Sequence, residues 1–339
     1  MSFKRFDLED IAISAESIVA PAWSNQLTQL TTMYSGSQAS LFSANYYYNM
    51  YAAAAGGIGS GDVQFAVAYG NRTGSGSVLL STSEVGKSPS SIIYGQYRTL
   101  INGDEDTDFT FGTGTPTPNS IYVIAVNRGR FKEKLLPGSF ELTLQSGSNI
   151  ITLVDDSTTA STISYVDAGR VFNIVSGSLA AGIVSSNTTF TAASGSYGKM
   201  YPDIGVFVLN GNTLKDSAIG FGVNLKVSES YNADGTNINT FATAITAGGN
   251  FSLRSEETIT SNYVFVRVRN SEFNYSTNPS NITGSGELRH NIMINSPQAY
   301  VTAIGLYNDN NDLLGVAKLS KPLLKDFTKE ALVRIKLDF

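Results

Sequence analysis

A mainly-β chain is what these 339 residues predict, with a few short helices, antiparallel sheets in sandwich-like domains and long Gly/Ser/Thr loops. Three observations carry that expectation. Apolar residues alternate, or form short β-branched runs bounded by Gly, Asn, Asp and Pro. The 3.6-residue stripe of an amphipathic helix surfaces in few places. Stretches rich in Gly, Ser and Thr separate the strand-like runs, and Gly alone numbers 32.

Residues 1–19 admit a short turn around Leu8 to Ile13. Tyr46-Tyr47-Tyr48-Asn49-Met50-Tyr51 reads in alternation as a strand with Tyr on both faces. Residues 62–69 set Val63, Phe65, Val67 and Tyr69 on one face of a strand that Gly70-Asn71 closes. Over 90–101, Ile93, Tyr97 and Leu100 share a helical stripe, and Pro89 suits the first turn. Residues 121–126 are a continuous β-branched run, the mark of a strand buried on both faces. Residues 140–144 and 150–154 flank Ser146-Gly147-Ser148-Asn149 as a hairpin, and 204–209 run into the tight-turn pair Asn210-Gly211.

Further on, period 2 puts Val264, Val266 and Val268 on one face of a strand, with Tyr263, Phe265, Arg267 and Arg269 on the other. Residues 300–307 and 313–319 form a hairpin around Asn308-Asp309-Asn310-Asn311-Asp312, and Pro322 ends it. A helix is predicted over 325–332. The last strand alternates Val333, Ile335, Leu337 and Phe339 against Arg334, Lys336 and Asp338, so one face is buried and the other wet. Ending on an apolar strand residue, the chain has its terminus tied into a sheet.

Loops fall at 55–61, 112–119, 155–162, 177–198 and 245–249, and the charged stretch 128–134 with Pro137 marks a junction. Domains of roughly 150 residues then suggest three regions. These are a β-rich N-terminal domain at 1–137 with a short helix near 90–102, a β-rich middle at 138–250, and a C-terminal region at 251–339. The last contains the hairpin 300–319 and the strand 332–339. No repeat of period 20–50 appears.

Composition narrows the function. Charged residues make up 15%, below the roughly 25% usual for soluble domains. Net charge is −5, Cys is absent, and 17 Tyr and 18 Phe accompany one Trp. Polarity therefore rests on Ser, Thr, Asn and Gly, and such a surface leans toward contact with other proteins. Without Cys there are no disulfides, thiolate metal sites or cysteine nucleophiles. The first residues show no signal-peptide pattern, and no run of about 18 apolar residues exists to span a membrane. Scattered, outnumbered basic residues leave no footprint for nucleic acid.

The chemical motifs each yield to a plainer reading. Gly56-Gly57-Ile58-Gly59-Ser60-Gly61 precedes a strand and not a helix, so it is a loop and not a phosphate cradle. Gly86-Lys87-Ser88 lacks the first glycine of a nucleotide loop, with Ser81 in its place. Asp104-Glu105-Asp106-Thr107-Asp108 resembles the start of a calcium loop, but Phe109 and Thr115 stand where Gly and Glu are required. His290 is the lone histidine and reads as a surface residue. No carboxylate pair is singled out for glycoside cleavage. No catalytic, cofactor-binding or metal residues are assigned, and no cofactor is expected. The cluster Tyr46, Tyr47, Tyr48 and Tyr51 is either a sugar-stacking platform or an interface strand, and the charge-poor surface favours the interface. The strand residues Val333, Ile335, Leu337 and Phe339 are the other interface candidates.

Several stretches resemble a known family. They are Phe3-Lys4-Arg5-Phe6-Asp7 with Ser14-Ala15-Glu16-Ser17, residues 88–98, and Phe131-Lys132-Glu133-Lys134-Leu135-Leu136-Pro137-Gly138. Residues 265–267, 270–276, 304–309, 317–322 and 333–339 continue the likeness. Together they are similar to virion structural proteins of large contractile-tailed bacteriophages of marine cyanobacteria, less distinctly over 155–250. The Ile304-Gly305-Leu306-Tyr307 hairpin is also similar to one in tail-fibre attachment proteins. The resemblance implies a non-enzymatic virion part at the tail or baseplate, assembled in the host cytoplasm. Its partners would be other tail or baseplate proteins and further copies of itself, with neither nucleic acid nor membrane involved. The alternative is a receptor- or carbohydrate-binding module on the same particle; a β-rich glycan hydrolase is the third class. Removing residues 332–339 is expected to abolish folding or incorporation into particles. Virions of normal composition and infectivity that carry the truncated protein would overturn it.

Overall fold

The computed structural model describes residues 3–39, 45–52, 61–77, 79–81, 83, 87–112, 115–183, 196–215, 230 and 235–338. The fold is mainly antiparallel β. The chain divides into a larger unit, Ile18–Glu257, and a smaller one in which Met1–Ser17 joins Thr258–Phe339. The expected divide at 137 instead lies within the larger unit: Leu135 pairs with Ser255, and the Leu136 amide donates to the Arg254 carbonyl. Pairing between distant segments sets the boundaries, and composition does not record it.

The larger unit is a rolled sheet. Its strands in chain order are β2 (Gln29–Leu30), β3 (Met33–Ala39), β4 (Asn45–Ala52), β5 (Val63–Asn71) and β6 (Ser120–Val126), following β1 (Ile11–Pro21). Then come β7 (Lys134–Leu135), β8 (Glu141–Ser146), β9 (Asn149–Asp155), β10 (Ser164–Val166), β11 (Gly169–Ser178) and β12 (Gly182–Ile183). The series closes with β13 (Gly198–Tyr201), β14 (Val206–Asn210) and β15 (Asn250–Ser252). The hydrogen-bonded order is β2-β15-β8-β9-β11-β13-β14-β6-β5-β4-β3, with β10 and β12 appended to β11. Because only Thr31 and Thr32 link β2 to β3, the two ends of this path lie one turn apart.

Two helices explain why the sheet rolls. Helix α1 (Pro89–Asn102) forms where predicted, but its buried face is centred on Tyr94 and Ile101, with Ile93 and Tyr97 partly buried and Leu100 of the expected stripe exposed. It ends at Gly103, whose φ of 74° supplies the left-handed cap. Two further helices, α2 (Gly211–Lys215) and α3 (Thr236–Gly248), follow. Helix α3 packs against β8 and also β3, β4 and β5, strands from both arms of the path. Its Ile238, Phe241, Ala242 and Ile245 join the inner core with Phe65, Tyr122, Leu144, Phe207 and Phe251. On β6, Tyr122 and Ile124 face that core. Ile121 and Val123 belong to a second core with Tyr94 and Ile101 of α1. The strand is thus buried on both faces, as its unbroken apolar run predicts.

Helix α3 was not expected; 245–249 read as a loop. Its Thr and Asn residues are poor helix formers, but 238, 241, 242 and 245 keep helical spacing, and burial overrides propensity. Asn210-Gly211 is not a hairpin turn: the Asn210 side-chain oxygen accepts from the Asn212 and Thr213 amides and starts α2. The turn around 8–13 is one 3-10 turn at Leu8–Asp10, after which β1 begins.

In the smaller unit, β16 (Arg254–Val268) pairs with β19 (Ala331–Asp338), and β17 (Ala299–Tyr307) pairs with β18 (Leu313–Lys325). A short helix, α4 (Asn291–Asn295), precedes β17. Val264, Leu306 and Ile335 form the core, packed by Val266, Ile304, Ala317, Val333 and Leu337. Pro322 does not end β18. The register jumps from Ala303↔Lys318 to Val301↔Leu323, and this irregularity absorbs a residue that has no amide to donate. Nor does 325–332 form a helix. The Asp326 carboxylate accepts from the Thr328 amide and hydroxyl, fixing a turn, and buried Lys325 donates to Asn270 O, Asn274 Oδ1 and Asp326 O at 2.6–3.0 Å.

The contact between α3 and β8 is close enough to exclude a methyl group. A Cβ on Gly248 would lie 1.9 Å from the Thr143 carbonyl oxygen, whereas one on Gly95 of α1 would meet nothing. In denaturant titrations Gly248→Ala is expected to destabilise the chain by about 3 kcal/mol. Gly95→Ala should stabilise it by about 0.5–1 kcal/mol.

Candidate interaction surfaces

Strand β4 carries the Tyr cluster and divides it between two environments. Tyr48 and Met50 are buried in the inner core, while Tyr47 is 44% exposed and Tyr46 and Tyr51 are half-buried. This is the alternation of a strand at the wall of the roll. The next cross-strand pair after Met33↔Ala52, both buried, is Tyr34↔Tyr51, which therefore faces outward. The outer wall of β3 and β4 presents Tyr34, Tyr47 and Tyr51. Tyr34 was missed in the sequence because only the register puts it beside the cluster.

On β19 the candidates turn inward. Ile335 is buried, and Val333 and Leu337 pack beside it against Val264 of β16, so the strand completes its own sheet. Phe339 lies outside the described residues. The opposite face of this sheet is wet and ordered by charge: Arg334 and Lys336 sit 5.5 and 5.9 Å from the Tyr263 ring centroid. Lys336 also pairs with Asp338 at 3.1 Å, and Ser261 donates to the same carboxylate.

Other apolar side chains of the smaller unit stand exposed. Leu8, Ile11, Ile13, Leu313, Leu314 and Val316 are all exposed, Leu8 at 96% and Leu314 at 70%. A readable signal was present, since 300–307 and 313–317 hold no polar residue at alternate positions except Thr302.

The chemical motifs serve the architecture. Asp104 accepts from the Asp106 and Thr107 amides and closes a turn after α1; these bonds hold its carboxyl below the ordinary range. Asp108 pairs with Arg72 at 2.6 Å and Arg98 at 3.3 Å. Asn308 bonds Asp312 across the hairpin turn. His290 is exposed, and Gly56–Gly59 with Ser60 lies outside the described residues. Among the described residues, no group of three or more His, Asp or Glu converges on a metal-sized site.

Two carboxyls show opposed electrostatics. Burial pushes the Asp155 pKa up, against hydrogen bonds from the Ser157 and Gly138 amides. For Asp203, burial also acts upward, but Arg170 outweighs it: its guanidinium reaches Asp203 Oδ1 at 2.6 Å, its amide also donates, and the pKa is lowered. Both acids brace turns through backbone amides, Asp155 those of Gly138 and Ser157 and Asp203 that of Arg170.

Stability measurements separate the two sides of β4. Tyr48→Ala is expected to cost about 3–5 kcal/mol in denaturant unfolding. Tyr47→Ala should shift it by only about 0.5 kcal/mol. Comparison of the chain with family models, curated proteins and solved structures returns no match.

Proposed function

We propose that the chain is a structural subunit of a contractile phage tail, at its baseplate, and that it works by packing against other tail proteins and further copies of itself. The observation that carries this reading is the imbalance of the smaller unit. Among the described residues its buried apolar core is Val264, Leu306 and Ile335, with Val266, Ile304, Ala317, Val333 and Leu337 partly buried against it, while Leu8, Ile13, Ile292, Leu314, Tyr300 and Leu332 stand more than 60% exposed. Burying a large apolar side chain contributes about 1.5–3 kcal/mol. Covering the exposed residues in an assembly supplies what a lone chain lacks. The low charge density lowers the desolvation cost of that cover. The likeness of both chain ends to virion structural proteins gives the assembly its setting.

One observation favours a second reading. The outward tyrosines Tyr34, Tyr47 and Tyr51 offer ring faces of the kind on which a sugar stacks, which fits a receptor- or carbohydrate-binding module on the same particle. Antibody raised against the chain, imaged on virions of the phage that encodes it, tests the first reading. Label at the tail end is the expected result. Label confined to the capsid, or chain absent from purified virions, overturns it.

A further inference from the structure

One polar atom of the inner core stands apart from its neighbours. The Tyr122 hydroxyl is buried and has no hydrogen-bond partner among the described residues. Its ring packs against Phe241 of α3 at 4.7 Å and against Tyr69, its cross-strand partner on β5, at 5.4 Å. Burial first, and then Tyr69, push the Tyr122 pKa well up. The phenol therefore keeps its proton at neutral pH and can both donate and accept.

Next to it is a polar group one bond short of complete. Tyr69 and Ser120 share a hydrogen bond at 3.0 Å, and the Asn71 side-chain amide donates to Ser120 Oγ at 2.9 Å and to Tyr69 Oη at 3.4 Å. The Asn71 side-chain oxygen is taken up by the Thr73 amide and hydroxyl and by the Ser75 amide. Tyr69, Asn71 and Ser120 are all buried. Tyr69 and Ser120 bring two hydroxyl protons to the single bond between them, so one proton has no acceptor among the described residues.

A spare proton and an unused hydroxyl thus lie on adjoining residues of β5 and β6, and no direct bond joins them. Buried polar groups are paired as a rule, with protein or with ordered water. We infer that one ordered water is bound at this point inside the roll, accepting the spare proton of the Tyr69–Ser120 pair and bridging it to the Tyr122 hydroxyl. Two partners are enough to hold a buried water, which takes about two to four. The bridge spans what a direct bond cannot, because packing fixes both rings and strand pairing fixes Asn71 and Ser120. The occupant is neutral and small. No charged group acts on Tyr122, so nothing calls for an ion. Leu209, its cross-strand neighbour on β14, and Phe241 surround the phenol with apolar surface that a larger polar ligand could not satisfy.

A high-resolution crystal structure of the full-length chain tests this directly. Isolated density about 2.7–3.0 Å from Tyr122 Oη and from Tyr69 Oη or Ser120 Oγ is the expected result. A hydroxyl that stays dry, or a protein atom in that place, overturns the inference. In solution, Tyr122→Phe and Tyr69→Phe keep both rings and remove only hydroxyls that do not bond each other. In a double-mutant cycle their effects on the unfolding equilibrium are expected to depart from a simple product by at least about threefold. Effects that simply multiply overturn the bridge. Tyr122→Phe is also expected to remove one long-lived water from magnetic relaxation dispersion of the solvent, and an unchanged count overturns the inference as well.

Discussion

Aromatic packing around Phe251 is the interaction on which the larger unit depends. Its ring lies 4.8 Å from Trp23 and 4.9 Å from Phe65, and the more distant Phe140 and Phe207 stack on each other at 4.6 Å. These five residues come from stretches separated by up to 228 positions in sequence, a span that the Trp23 indole N–H bridges by donating to the Phe251 carbonyl at 2.9 Å. Edge-to-face and offset rings add about 0.5–1.5 kcal/mol per pair to the area they bury. Strands β5, β14 and β15, which lie apart along the hydrogen-bonded order, must converge for these contacts to form, so the sheet has to curl.

Helix α3 makes the curl stable. A helix with an apolar face against β8, β3, β4 and β5 gives both arms of the sheet one object to close on. Phe241 meets Tyr122 at 4.7 Å, and the Tyr122 hydroxyl, buried and without a partner among the described residues, has its pKa pushed well up by desolvation. Beyond it the strand ends turn polar. Asn71 and Tyr69 bond the Ser120 hydroxyl, and Asn210 bonds the Ser196 carbonyl, all buried. At these ends the polar side chains satisfy groups that the apolar core cannot.

The smaller unit obeys the opposite economy. Its polar contacts are abundant: Lys325 ties β18 to residues 270–274, and Lys4 reaches both the Arg267 carbonyl and Glu272. Its apolar contacts are few. Hydrogen bonds contribute only about 1 kcal/mol each, so they fix the shape of such a unit better than they stabilise it. A shape defined by polar ties and surfaced with leucine, isoleucine and tyrosine is suited to completion by neighbours, and this links the fold to the assembly role proposed for it.

Periodicity settled what periodicity can. The strands read over 62–69, 121–126 and from Val333 onward and the helix after Pro89 were legible to within a residue or two of their ends, and the hairpin around Asn308 at its turn, because each depends on residues adjacent in sequence. The outward Tyr34–Tyr51 pair, the joining of 1–17 to 258–339, and the role of α3 as the centre of the roll were not. A strand's alternation shows that it has two faces, and the unbroken run of the β17–β18 hairpin shows that both want cover. What covers each face is decided by the free energy of long-range contacts, and those appear only when segments hundreds of residues apart are brought within a few ångströms.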